Sequence, residues 1–267
     1  MNAPAVGANG VQRLLAVGTS SPVIDLTGVT KVFGSGRNEL VALENIDLVV
    51  DQGEVVCLVG TSGCGKSTIL NLVAGLERPT TGTISTRGRP ALMFQDAALF
   101  PWLTVRANVE LPMRLAGISR SARRERADRL LETVHLGGFA TKRPHELSGG
   151  MRQRVAMARS FAQDADLLLM DEPFGALDAM TRDSLHDELD NHVRARRLTV
   201  VFVTHNVREA ARLGDRIVVL SPRPGRVKAS FDVDIAHPRR IESPEVAGIA
   251  VTVTDQLRQE ALFHAHR

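Results

Sequence analysis

The stretch GTSGCGKST, Gly60 to Thr68, constrains this chain more than any other. It fits the pattern G-x-x-x-x-G-K-[ST], with the context that the pattern requires. A continuous apolar run, Val55 to Val59, precedes it and ends at Gly60, as a buried strand does. A helical segment begins at Lys66 and stops near Gly75, a residue suited to a C-terminal cap. Glycines let the backbone curl without Cβ clashes, so successive N–H groups point inward at an anion. The helix dipole adds about half a positive charge at that end. Gly60, Thr61, Ser62, Gly63, Cys64 and Gly65 therefore form a phosphate cradle. Lys66 is placed to reach β- and γ-phosphates, and the hydroxyl of Ser67, next to Thr68, suits Mg²⁺. Cys64 lies inside the phosphate loop, next to a helix N-terminus. It reads as a candidate modification site, not a catalyst.

Strand and helix patterns alternate around this unit. Ordered structure is expected to begin at VIDLTGVTKVF, after a loose tail over residues 1–20. A strand follows at LVALENIDLVV, and shorter ones at GTISTRG and ALMFQ. From about residue 97 to 162 helical spacing dominates, which implies a helical subdomain inserted into the core. Strands resume at DLLLMDEP, TVVFVTH and RIVVL. Continuous apolar strands separated by helical patterns imply an α/β fold with a mainly parallel sheet covered on both faces. The main domain is expected over residues 21–231. The extension at 232–267 carries few signals beyond a weak helical pattern in VTVTDQLRQEALF.

Other residues carry chemistry. LLLMDEP delivers Asp171 and Glu172 at a strand's carboxyl end, where open α/β sheets bind ligands. Asp171 suits the Mg²⁺ shell, and Glu172 suits an attacking water. His205 follows TVVFVT on the same rim; it is either structural or a hydrogen-bond partner of a γ-phosphate. Gln95, at the end of ALMFQ, is either an ordinary strand-end amide or a contributor to a metal or water shell. Phe33, beside glycines, either packs in the core or stacks on a purine. LSGGMRQR, Leu147 to Arg154, is a second candidate anion site: Ser148 caps a helix whose start contains Gly149 and Gly150.

Bulk properties exclude some classes. The longest apolar runs are strand-length and fall well short of a membrane span. A net charge of +3 on 267 residues does not argue for nucleic acid. No charged start leads into a long apolar core, so no signal peptide is expected. The two cysteines, Cys57 and Cys64, do not form a disulfide framework, which suits a reducing cytosol.

Taken together, the motifs resemble those of the ATP-binding cassette ATPases over about Val23 to Val227. The phosphate loop, Gln95, LSGGMRQR, LLLMDEP, the FGALD turn and His205 occur in that family's order. The resemblance implies a P-loop NTPase (RecA-like) core, with an N-terminal antiparallel β subdomain and the inserted helical subdomain. It also implies a head-to-tail homodimer, with ATP between one subunit's phosphate loop and the other's Ser148, Gly149 and Gly150. By resemblance Glu172 is the catalytic base, His205 the γ-phosphate switch, Gln95 a metal and coupling residue, and Asp178 a contact across the dimer. Phe33 stands where an aromatic, often Tyr, stacks on adenine; this chain has no Tyr.

The segments DAALFPWLTVRANV and LSGGMRQRVAMARSFA look most like the nitrate, sulfonate and taurine importer ATPases. That resemblance implies separate integral membrane permease subunits, a substrate-binding protein and a place on the cytoplasmic face of the membrane. Phe100 and Trp102 are the expected apolar anchors for the permease. Three rivals are weighed against this reading. A DNA-repair cassette normally carries a long coiled coil, and no sustained heptads lie between Lys66 and Ser148. A translation cassette is normally doubled within one chain. An exporter ATPase is disfavoured by FPWLTV alone.

Overall fold

The computed structural model describes residues 22–265; the tail expected over residues 1–20 lies outside them. Two long strands open the chain, β1 (Ile24–Phe33) and β2 (Leu40–Val50), paired antiparallel. Their apolar residues recur at strand spacing, so Ile24, Leu26, Ile46, Leu48 and Val50 are all buried. β3 (Val55–Val59) runs into the phosphate loop and then α1 (Lys66–Val73). β4 (Thr81–Thr86) returns to the free side of β1, which completes a three-stranded antiparallel sheet ordered β2-β1-β4.

β5 (Pro90–Met93) belongs to the second sheet. Helices and short 3-10 turns, with no strand, occupy residues 97–162: α2 (Val105–Leu115), α3 (Arg120–Thr133) and α4 (Gly149–Phe161). Then come β6 (Leu167–Asp171), α5 (Ala179–Arg196), β7 (Thr199–Val203), α6 (Val207–Leu213) and β8 (Arg216–Leu220). β9 (Val227–Asp232) and α7 (Pro244–Ala265) close the described chain. The larger sheet is ordered β5-β6-β7-β3-β8-β9, parallel except for β9, which pairs antiparallel with β8.

The central strand separates two apolar clusters. Val55, Cys57 and Val59 pack with the helical side of the molecule, whereas Val56 and Leu58 pack with α1 and the antiparallel sheet. Alternation along β3 thus buries both faces, and every residue of β3, β6 and β7 is buried. The residues after 232 join the first cluster through Val233, Val246 and Val253.

The structure differs from the sequence reading at three points. β9 was not expected: its residues alternate between half-buried and exposed, the pattern of a polar edge strand. α7 begins at Pro244, earlier than VTVTDQLRQEALF suggests, because Val246 and Ala250 add a buried stripe. Gln95 and His205 each stand two residues beyond a strand end, since β5 stops at Met93 and β7 at Val203.

Candidate functional site

The phosphate loop is held in its curl by close packing. Gly63 (φ 76°) and Gly65 (φ 102°) occupy the left-handed region. A Cβ on Gly65 would lie 2.4 Å from Leu43 Cδ2, so only glycine lets the loop rest on β2. Lys66 Nζ donates to the carbonyls of Gly60 (2.9 Å) and Thr61 (3.0 Å) and lies 3.7 Å from Cys64 Sγ. The buried Lys66 ammonium thus spans the loop that a polyphosphate would occupy.

Two carboxylates arrive at the end of β6 in different states. Asp171 is buried, and that burial raises its pKa; Glu172 beside it raises it further, while a hydrogen bond from Ser67 and the Lys66 charge oppose both. Glu172 has φ 46°, a strained value for a non-glycine residue. Its N–H donates to Val203 O (2.9 Å), and its carbonyl accepts from Gln153 Nε2 (3.4 Å) and from Gly175 N–H (3.2 Å). So held, its Oε2 lies 3.3 Å from Nδ1 of the exposed His205.

A cleft of about 270 Å³ gathers most of the expected residues. Phe33, Ser62, Gly63, Gly65, Lys66, Ser67, Thr68, Gln95, Asp171 and Glu172 line it. Lys31 Nζ sits 4.7 Å from the centre of the Phe33 ring. Gly60 and Thr61 act from behind through their carbonyls, and Cys64 is buried. His205 reaches the site only through Glu172. Arg223 was not anticipated from the sequence, yet it lines the cleft and donates from Nε and Nη2 to Gly63 O (3.1 and 3.0 Å). Its segment, SPRPGR, reads as a turn, but nothing in that pattern says which surface the turn meets.

Ser148, Gly149 and Gly150 are not among the residues lining this cleft. Ser148 Oγ accepts from Met151 N–H (3.2 Å) and caps α4, and Gly150 packs against Ala176 O. Asp178 caps α5 by accepting from Thr181 N–H (3.0 Å), a bond that lowers its pKa. Phe100 and Trp102 form an exposed pair with ring centres 5.4 Å apart.

Residues 43–175 match the family model described as ABC transporter. The chain is 44% identical over 248 residues to the taurine import ATP-binding protein TauB of Burkholderia pseudomallei, covering 87% of this chain and 95% of that one. The chain belongs to the ABC transporter family. As an ABC ATPase it binds and hydrolyses ATP. It is also 43% identical over 220 residues to the nitrate import ATP-binding protein NrtD of a Synechocystis species, covering 79% of this chain and 83% of that one. Among solved structures, a dimeric bacterial ABC transporter cassette matches with a TM-score of 0.75 and 35% identity, over 80% of this chain and all of that one. A dimeric ATP-binding cassette bound to ADP and phosphate matches with a TM-score of 0.74 and 34% identity, over the same shares. Among the described residues, no helix of this ABC ATPase is long and apolar enough to cross a membrane.

Proposed function

We propose that this chain is the ATP-hydrolysing subunit of a multi-subunit importer for a small anion such as a sulfonate or nitrate. One observation carries the mechanism. The phosphate loop and the acidic strand end share one cleft, while Ser148–Gly150, a second anion-binding helix start, lies outside it. A helix start so placed completes the site of a second copy, and this supports a head-to-tail homodimer with two shared ATP sites. The dimeric cassettes among its relatives support the same reading.

Residue roles follow from the geometry. Lys66 and the loop amides hold the phosphates, and Phe33 faces the base. Glu172 accepts a proton from the attacking water, and His205, 3.3 Å away, hydrogen-bonds the γ-phosphate and orients Glu172. The Ser67 hydroxyl and the Asp171 carboxylate are hard oxygen donors, and Gln95 lies with them on the same cleft. That set fits Mg²⁺, which keeps waters and phosphate oxygens in its shell. When bound, it would neutralise charge on the phosphates.

The exposed Phe100–Trp102 pair, beside the Gln95 loop, is the proposed seat for a helix of the permease. The chain would then sit on the cytoplasmic face of the membrane, with a binding protein choosing the cargo. The boundaries 21–231 for the cassette, 97–162 for its helical subdomain and 232–267 for the extension belong to this reading. It is tested by reconstituting the chain with its permease and binding protein in vesicles. ATP-dependent uptake should fall about a hundredfold in Glu172→Gln, with ATP-bound dimers accumulating. Rapid turnover in that variant sinks the assigned role, and uptake that needs no cassette sinks the importer reading.

A further inference from the structure

We infer that Arg223 is a nucleotide-positioning residue, which locks the outer side of the phosphate loop and supplies a positive charge at the mouth of the cleft. The inference rests on the nucleotide reading of that cleft. Three observations carry it. The first is the rigidity of the segment that presents the residue. Ser221 is buried; its hydroxyl donates to Pro224 O (2.9 Å) and accepts from Arg226 N–H (3.0 Å). Gly225 N–H donates to Ala42 O (2.9 Å), and Glu44 N–H donates to Gly225 O (2.9 Å). A Cβ on Gly225 would lie 2.1 Å from Cys64 O, so the segment presses directly on the phosphate loop.

The second observation is the fork on Gly63. Two guanidinium N–H groups converge on one carbonyl, at 3.1 and 3.0 Å. A trans peptide sets its C=O and N–H on opposite sides. Holding the Gly63 carbonyl outward therefore holds the Cys64 N–H inward, where it donates to Thr61 O (3.3 Å). Thr61 O also takes the Lys66 ammonium, so the fork and the lysine act on one curl.

The third observation is electrostatic. Two nearby arginines are neutralised by carboxylates, Arg226 by Glu44 and Arg216 by Glu54. Among the described residues, the Arg223 guanidinium has no carboxylate within ion-pair distance, although it lines the cleft. An uncompensated cation there favours a polyphosphate and strengthens as salt falls.

The test is calorimetric titration with ADP and Mg²⁺ for the full chain and its Arg223→Lys, Arg223→Ala and Arg223→Glu variants. Affinity should fall about tenfold in Arg223→Ala, partly recover in Arg223→Lys and be lowest in Arg223→Glu. The KM for ATP should rise in step with the ADP Kd, and the gap between the unsubstituted chain and Arg223→Ala should shrink at high salt. Equal affinity in Arg223→Glu, or equal losses in all three variants with no salt dependence, overturns the inference. Lys66→Ala is the control for the cleft itself. If the unsubstituted chain binds no ADP, or Lys66→Ala binds it unchanged, the nucleotide reading fails along with the inference. If only the Arg223 series is flat, the inference alone fails.

Discussion

Asp171 and Glu172 are neighbours in sequence with opposite surroundings. Asp171 is buried and its pKa is raised, chiefly by that burial. An unfolded aspartate ionises near 3.9. With the folded pKa above that value, the folded state holds the proton longer. The stability this gives is present at low pH and is lost as pH rises through the folded pKa. At neutral pH the ionised Asp171 therefore works against the fold. Asp171→Asn should raise the thermal midpoint at pH 7 while ATP hydrolysis collapses; a lower midpoint would show that the charge is already compensated. This pair was legible because an apolar strand ending in two acids has one natural place in a parallel sheet. Arg223 was not, because its partner Gly63 lies 160 positions away and only the fold brings the two loops together.

The elements beyond the cassette motifs are held by buried polar groups as well as by apolar packing. Arg239, 6% exposed, follows β9 and donates to four carbonyls, those of Ile235, Ala211, Gly214 and Val233. It ties the start of the C-terminal segment to the corner between α6 and β8. Arg239→Ala strands buried carbonyls and should cost about 3 kcal/mol, read as a lower urea midpoint. A midpoint unchanged would mean that water replaces the guanidinium. A single arginine in a polar stretch gives no sign of this role, and for the same reason the sequence hardly registers β9 and the start of α7. VKASFD does alternate apolar and polar residues, but only its pairing with β8 makes it a strand of the sheet. On α5, His192 stacks on Phe161 with ring centres 4.0 Å apart. Burial, then the charges of Arg196 and Arg126, push its pKa down to about 4, against the pull of Asp164. The unfolded imidazole takes its proton near 6.5 and the folded one only near 4, so stability is lost as pH falls through that window. His192 is half-buried, so the loss between pH 6.5 and 5 should be about 1 kcal/mol. His192→Phe keeps the stack and should flatten this slope; an unchanged slope would assign it to the carboxylates.

At the scale of the whole molecule, the question is which chain Ser148 serves. One chain's fold brings the phosphate loop, Asp171 and Glu172 to one cleft and leaves Ser148, Gly149 and Gly150 off it. If two copies meet head to tail, each site takes its loop from one copy and its LSGG helix start from the other. Lys66→Ala spoils the site on its own loop, and Ser148→Arg spoils the site on its partner's loop. Each variant alone should then be nearly inactive as a homodimer. In a mixed dimer both lesions fall on the same site, which leaves the other intact. Random mixing makes half the dimers mixed, each with one working site, so activity should return to about a quarter of the original if the sites are independent. Steady-state phosphate release from an equimolar mixture measures this directly. If Ser148 served its own chain's ATP, each chain would carry one broken site of its own and mixing would restore nothing. Recovery on mixing therefore separates a shared site from a self-contained one.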